Sequence, residues 1–155
     1  MKIIFGLILF FSLCGLGNAQ SQSTGDKFSD KLNEQYEAAD KIEENVLQML
    51  QGSISDRDYK WGIMAHDSAR KFGVYADFLL TLSFIHTDIQ NDQDKMIVKK
   101  FFTTKCRNTV KFGEVQIEHI NTDLSSIKSI ALVNEITKMR DAIDGMMKTL
   151  EICKK

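Results

Sequence analysis

The helical period is clearest in residues 132–153, LVNEITKMRDAIDGMMKTLEIC. Apolar side chains recur there at steps of four and three residues, which places them on one face of a helix. Such a narrow stripe is typical of an amphipathic helix that packs one side against other helices. The apolar positions are Leu132, Ile136, Met139, Ile143, Met146, Leu150 and Cys153.

Three earlier segments show the same period and predict helices over about 26–51, 55–88 and 94–124. Ser55, with Asp58 three residues later, has the spacing of a capping box at the start of the second helix. The chain contains no proline, a residue that breaks helix interiors. The sequence therefore predicts an all-α fold, an antiparallel four-helix bundle of long helices. An irregular helical fold is the main alternative.

Two cysteines, Cys106 and Cys153, lie on the apolar stripes of consecutive helices, and we predict one disulfide between them. The geometry of a straight hairpin opposes this pairing. If the chain turns near residues 125–127, Cys153 lies too far along by roughly 9–15 Å, at ~1.5 Å rise per residue. A disulfide needs Cα atoms within about 7 Å. A bend at Thr103 and Thr104, two consecutive β-branched residues, is one way to bring the cysteines together.

Residues 1–19 have the three-part pattern of a secretory signal peptide. One lysine precedes an apolar run that is shorter than the ~20 residues of a membrane-spanning helix, and small residues follow. We therefore expect cleavage after Ala19, a disordered tail over 20–25 and a single helical-bundle domain over 26–155. The mature form is expected to have no membrane span and to be secreted or periplasmic.

The charge balance is close to neutral. The chain has 20 basic and 21 acidic residues, a net charge of −1, and loss of Lys2 with the signal peptide makes it −2. Nucleic-acid-binding domains usually carry a strongly basic surface. The composition therefore gives no support to a nucleic-acid partner.

The sequence contains none of the motifs that would indicate a catalytic or metal site. No histidine is preceded by glutamate at the spacing of di-iron bundles, and no two histidines stand four residues apart. A nucleophile elbow and a phosphate-binding glycine loop are also missing. We therefore expect no cofactor, no metal and no enzymatic activity.

The second helix carries more apolar residues than one buried stripe requires. Val74, Phe78 and Ile85 project from its polar flank. Either neighbours cover this helix on several sides, or it displays a patch for a partner, or it lines a ligand cavity. We select these three residues as candidate partner-binding residues.

The first half of the third helix is basic, and Lys100, Arg107 and Lys111 share one of its faces. Phe101 and Phe112 lie together on a separate flank. The basic face is a candidate surface for an acidic partner. The alternative is a solvated face that forms pairs with acidic residues of its own helix.

These patterns favour an exported, non-enzymatic binding protein that acts by contact with another exported protein, in the manner of an inhibitor or immunity protein. The alternative hypothesis is a carrier or sensor of a lipid or other small molecule. Its cavity would lie inside the bundle near Trp61, Phe72 and Leu79. The fold does not decide between these functions.

Overall fold

A computed structural model describes residues 24–154. The predicted signal peptide and residues 20–23 of the predicted tail lie outside the described residues, whereas Thr24 and Gly25 are the first residues of a helix. Four helices follow one another: α1 (Thr24–Leu50), α2 (Asp56–Asp88), α3 (Asp92–Leu124) and α4 (Ile130–Leu150). A 3₁₀ turn (Glu151–Lys154) ends the described chain, which contains no β-strand between residues 24 and 154.

The predicted four-helix bundle is confirmed. Each helix packs against its neighbours in the sequence, α4 also packs against α1, and α2 reaches across to α4. The connections 51–55, 89–91 and 125–129 are short, which makes successive helices antiparallel. The helix bounds agree with the predicted ones to within about two residues, except that Cys153 lies in the 3₁₀ turn.

Side-chain caps begin three of the helices, α2, α3 and α4. The side chains of Ser55, Asn91 and Ser129 accept hydrogen bonds from backbone N–H groups of α2, α3 and α4. Only half of the predicted capping box forms, because the Asp58 carboxylate accepts from the Lys128 N–H at 2.7 Å. This hydrogen bond lowers the pKa of Asp58 and joins the start of α2 to the α3–α4 connection.

The core contains side chains from all four helices, and a glycine brings three of them together. A Cβ atom on Gly113 of α3 would overlap Met147 Sδ and lie 2.7 Å from Phe72 Cε2. The absence of a side chain at this position therefore lets α2 and α4 approach α3 closely. The largest fully buried side chains include Leu32, Val46, Phe72, Leu79, Ile120, Leu132, Ile136, Met139, Ile143, Met146 and Leu150.

The predicted disulfide is present, and its Cα atoms lie 6.1 Å apart. The register of the α3–α4 hairpin explains how the cysteines meet. Gly113 packs against Met147, a pair centred on residue 130, and the pair Cys106–Cys153 has nearly the same centre. The turn predicted from the sequence was about four residues too early. The connection 125–129 carries the chain roughly 9 Å beyond the end of α3 before α4 begins.

Candidate functional site

The apolar excess of α2 is only partly buried, although this helix packs against all three others. Val74, Phe78 and Ile85 are 65%, 42% and 44% exposed. The four- and seven-residue spacings between them place them on one side of α2. Val74 and Phe78 line a groove against α3, and Val74 also borders the cleft against α1. Coverage by the rest of the bundle therefore does not account for these three side chains.

Aromatic side chains of α3 lie beside this flank. The Phe78 and Phe101 rings meet edge to face with centroids 6.3 Å apart, and the Tyr75 and Phe112 rings lie 4.5 Å apart. Both geometries are favourable for aromatic pairs. These pairs lie at the surface of the α2–α3 seam, because Tyr75, Phe78 and Phe101 are exposed and Phe112 is partly buried. We call the surface made by the following residues the α2–α3 face: Val74, Tyr75, Phe78, Ile85, Phe101 and Phe112.

A groove of about 490 Å³ runs along this face between the two helices. Its apolar walls come from Val74, Tyr75, Phe78 and Phe112. Lys105, Asn108 and Thr109 of α3 add polar groups, and the hydroxyl of Thr109 already donates to the carbonyl of Lys105. The groove thus combines exposed rings with a few polar atoms, the composition of many binding sites.

The basic residues selected from the sequence lie elsewhere on α3. Arg107 Nε donates to the carbonyl oxygen of Cys153 at 3.0 Å, so this side chain faces the end of α4. Lys100 and Lys111 are exposed and share its flank by helical spacing. The six candidate residues therefore lie on two different surfaces. The three apolar ones belong to α2, and the three basic ones lie on the flank of α3 that faces the end of α4. The basic residue that borders the groove is Lys105, whose Nζ lies 5.2 Å from the centre of the Phe101 ring.

Sequence reasoning missed Tyr75, Lys105 and Asn108. A signal was present, because Phe101, Lys105, Asn108 and Phe112 follow steps of four, three and four along α3. The aromatic members of this stripe were recognised, but nothing in the sequence indicated that α2 would place Tyr75 against Phe112.

The ligand cavity predicted near Trp61, Phe72 and Leu79 does not gather these residues in one place. Phe72 and Leu79 are completely buried among core side chains. Trp61 instead lines an open cleft of about 370 Å³ between α2 and α3, together with His119 and other residues. The three side chains therefore belong to two different environments.

Residues 24–154 contain neither a metal-binding cluster nor a membrane-spanning helix. In this part of the chain, no three or more His, Cys, Asp and Glu side chains are placed to hold a metal ion. None of the helices found there carries an apolar stretch long enough to cross a bilayer.

Comparisons with known proteins give the chain no relative from which a function can be transferred. No protein-family model matches it. No curated protein and no solved structure is significantly similar to it.

Proposed function

We propose that this protein is an exported, non-enzymatic binding protein of the inhibitor or immunity type. In this proposal the α2–α3 face docks an amphipathic helix with acidic flanking residues, which belongs to another exported protein. The observation that carries the proposal is the groove between α2 and α3, because its walls are aromatic and aliphatic side chains left in solvent.

Burial of this face by a partner would be favourable. Removing apolar surface from water contributes roughly 25 cal/mol per Å², and aromatic residues dominate the binding energy of many interfaces. A groove between two antiparallel helices suits a helical ligand, which inserts side chains spaced three and four residues apart. Phe78 is the expected anchor, since it lines the groove and contacts Phe101.

The charge around the groove favours an acidic partner. The sequence between Lys95 and Lys111 has six basic residues and no acidic one, although Lys100, Arg107 and Lys111 lie on another flank of α3. Lys105 stands at the groove itself, over the ring of Phe101. A two-fold symmetric dimer through this face would bring Lys105 of both copies into one interface, which disfavours a second copy as the occupant.

The export component of the proposal rests on two features. Residues 1–19 have the pattern of a signal peptide, and Cys106 and Cys153 form a disulfide. Disulfides persist in oxidising compartments and are rare in the cytosol. The partner is therefore expected in the same exported compartment.

Site-specific photo-cross-linking tests the docking surface. A benzophenone amino acid replaces Phe78 in the protein expressed in its own cells, and a matched variant carries it at Ile130. Ile130 is a large apolar residue, 77% exposed, at the start of α4. We expect a discrete protein adduct from position 78 and none from position 130. Equal adducts from both positions, or none from position 78, would contradict the proposal.

A further inference from the structure

The seam between α2 and α3 opens a second time, at the cleft of about 370 Å³ that contains Trp61. Trp61 and Met64 form its apolar wall on α2, and Asp123 lines it from the end of α3. At ~1.5 Å rise per residue, Trp61 stands about 25 Å along α2 from Phe78. No residue of the α2–α3 face lines this cleft, so the two openings are distinct.

The carboxylate of Asp123 is buried and has no partner. Asp123 is 5% exposed, and within residues 24–154 its side chain makes no hydrogen bond and no ion pair. His119 lies one turn earlier on α3 and lines the same cleft, but it does not pair with this carboxylate. Burial raises the pKa of Asp123, and the charge of His119 offsets part of that rise. A carboxylate removed from water is normally paired or hydrogen-bonded, so a compensating group is missing here.

A second polar side chain in the cleft is also unsatisfied. Ser68 lines it from α2 and is 6% exposed, and its hydroxyl makes no hydrogen bond in the described part of the chain. A helical serine or threonine often donates to the carbonyl one turn earlier, as Thr109 does to Lys105. Two helices therefore present an unpartnered polar group to one cleft, which points to a bound group with hydrogen-bond donors.

The charge at this end of the seam favours a cation. Asp123 lies in the last turn of α3, where the helix dipole adds partial negative charge, and that turn contains no basic residue. Lys71 lines the cleft, but its Nζ lies 2.6 Å from Asp67 Oδ2, so its charge is already compensated. Asp123 therefore sets the sign of the field inside the cleft.

We propose that this cleft binds a small organic cation, a flat amidinium or guanidinium group attached to an apolar body. Such a group donates two parallel hydrogen bonds to the carboxylate of Asp123, and the hydroxyl of Ser68 accepts a third. The apolar body lies on Trp61 and Met64, and indole is the aromatic ring that attracts cations most strongly. Lys60 Nζ also lies 5.2 Å from the centre of this ring, but Lys60 does not line the cleft.

An NMR titration with two probes of the same shape tests the proposal. Trp61 is the only tryptophan of the chain, so the spectrum contains one indole N–H signal, and that signal reports this cleft. Benzamidinium chloride and benzamide are added separately to ¹⁵N-labelled mature protein at neutral pH. We expect benzamidinium to shift the indole signal saturably, with a Kd of about 1 mM or tighter. Neutral benzamide should give no saturable shift.

Two matched variants make the outcome specific. Asp123→Asn keeps the size of the side chain but removes its charge, and it should weaken benzamidinium binding by about tenfold or more. Asp144→Asn removes an exposed carboxylate of α4 that is paired with Lys148, and it should leave the Kd unchanged. Equal binding of the two probes, an unchanged Kd in Asp123→Asn, or an equal loss in both variants would overturn the proposal.

The comparison of benzamidinium with benzamide uses the unchanged protein, so it decides the proposal even if Asp123→Asn fails to fold. Phe78→Glu alters the α2–α3 face and should leave the benzamidinium Kd unchanged. Because loss of partner docking in Phe78→Glu is a separate readout, the two proposals can fail independently.

Discussion

The two flanks of α2 differ in chemistry although they belong to one helix. Towards α3 the flank carries aromatic and aliphatic side chains that pair with rings of α3 and remain in solvent. Towards α1 it carries Arg70 and Asp77, which stand over an apolar floor together with carboxylates of α1. The apolar residues of α2 therefore have two different surroundings. Phe72 and Leu79 lie in the core, whereas Val74, Phe78 and Ile85 form an exposed apolar surface.

The largest expected effect is a difference in the unfolding free energy lost by alanine substitution on the buried side and on the exposed side of α2. Phe72 is completely buried, and its ring lies so close to Gly113 that a Cβ there would be 2.7 Å from Phe72 Cε2. Phe78, in contrast, is 42% exposed. Phe72→Ala should lower the free energy of unfolding by about 3–5 kcal/mol. The same change at Phe78 should cost about 1 kcal/mol or less. Chemical denaturation of both variants measures this contrast, and similar losses would place Phe78 in the core.

Removal of the disulfide should have an effect of comparable size. Cys106 and Cys153 are separated by 47 residues, and a loop of this length contributes about 4 kcal/mol on the chain-entropy model. We expect Cys106→Ala with Cys153→Ala to lower the free energy of unfolding by that amount. Hydrogen exchange should rise more in the first half of α3 than in α1, because the disulfide anchors α3. A uniform rise in both helices would contradict this description.

Substitution of two glycines compares how tightly α3 packs against α2 and α4 with how tightly α2 packs against α1. At Gly113 an added Cβ overlaps Met147 and lies 2.7 Å from Phe72, whereas at Gly73 the nearest atom, in Tyr36, is 4.0 Å away. Gly113→Ala should therefore destabilise the protein by about 1–3 kcal/mol. Gly73→Ala should be neutral or stabilise it by up to about 1 kcal/mol, since alanine is the better helix former. Thermal unfolding of the two variants tests this, and a reversed order would show that the seams are assigned wrongly.

The smallest expected effect is the pH dependence of the unfolding free energy that the buried residue His66 of α2 contributes. Burial and the nearby Arg70 lower the pKa of His66 below its usual value of 6.5. At a pH between the usual pKa of histidine and the lowered pKa of His66, the unfolded chain binds a proton that the folded chain does not. Stability should therefore fall as the pH drops from 7.5 to 5.5. Glu43 acts in the opposite direction, because its raised pKa makes the folded protein lose stability as the pH rises above 4.5.

The histidine contribution is measured by substitution. His66→Gln should flatten the dependence of the unfolding free energy on pH over this range. Some slope should remain because burial, with Lys95 and Lys99, also lowers the pKa of His86. An unchanged slope in His66→Gln would contradict the prediction.

Much of the fold could be predicted from the sequence, because periodic apolar stripes and the absence of proline specify long amphipathic helices. The register between α3 and α4 could not be predicted, because the apolar pattern does not show how far along the bundle axis α4 begins after the connection 125–129. This is why the meeting of Cys106 and Cys153 was difficult to explain and the proposed bend at Thr103 was not needed.

The candidate sites were only partly predictable. The exposure of Val74, Phe78 and Ile85 depends on where three other helices lie, which the pattern of one helix does not determine. Tyr36 fits the apolar period of α1 and packs against the core, and it also lines a cleft of about 590 Å³ between α1 and α2, which that period does not reveal.

Native mass spectrometry of the mature protein, purified gently from its own source, tests the central claim most directly. The unchanged protein, Phe78→Glu and Ile130→Glu are compared. The two variants introduce the same charge at exposed apolar positions on different parts of the bundle. We predict a stoichiometric protein adduct on the unchanged protein and on Ile130→Glu, and its loss in a folded Phe78→Glu. A bare unchanged protein, or an adduct that Phe78→Glu retains, would contradict the assignment of the α2–α3 face as the docking surface.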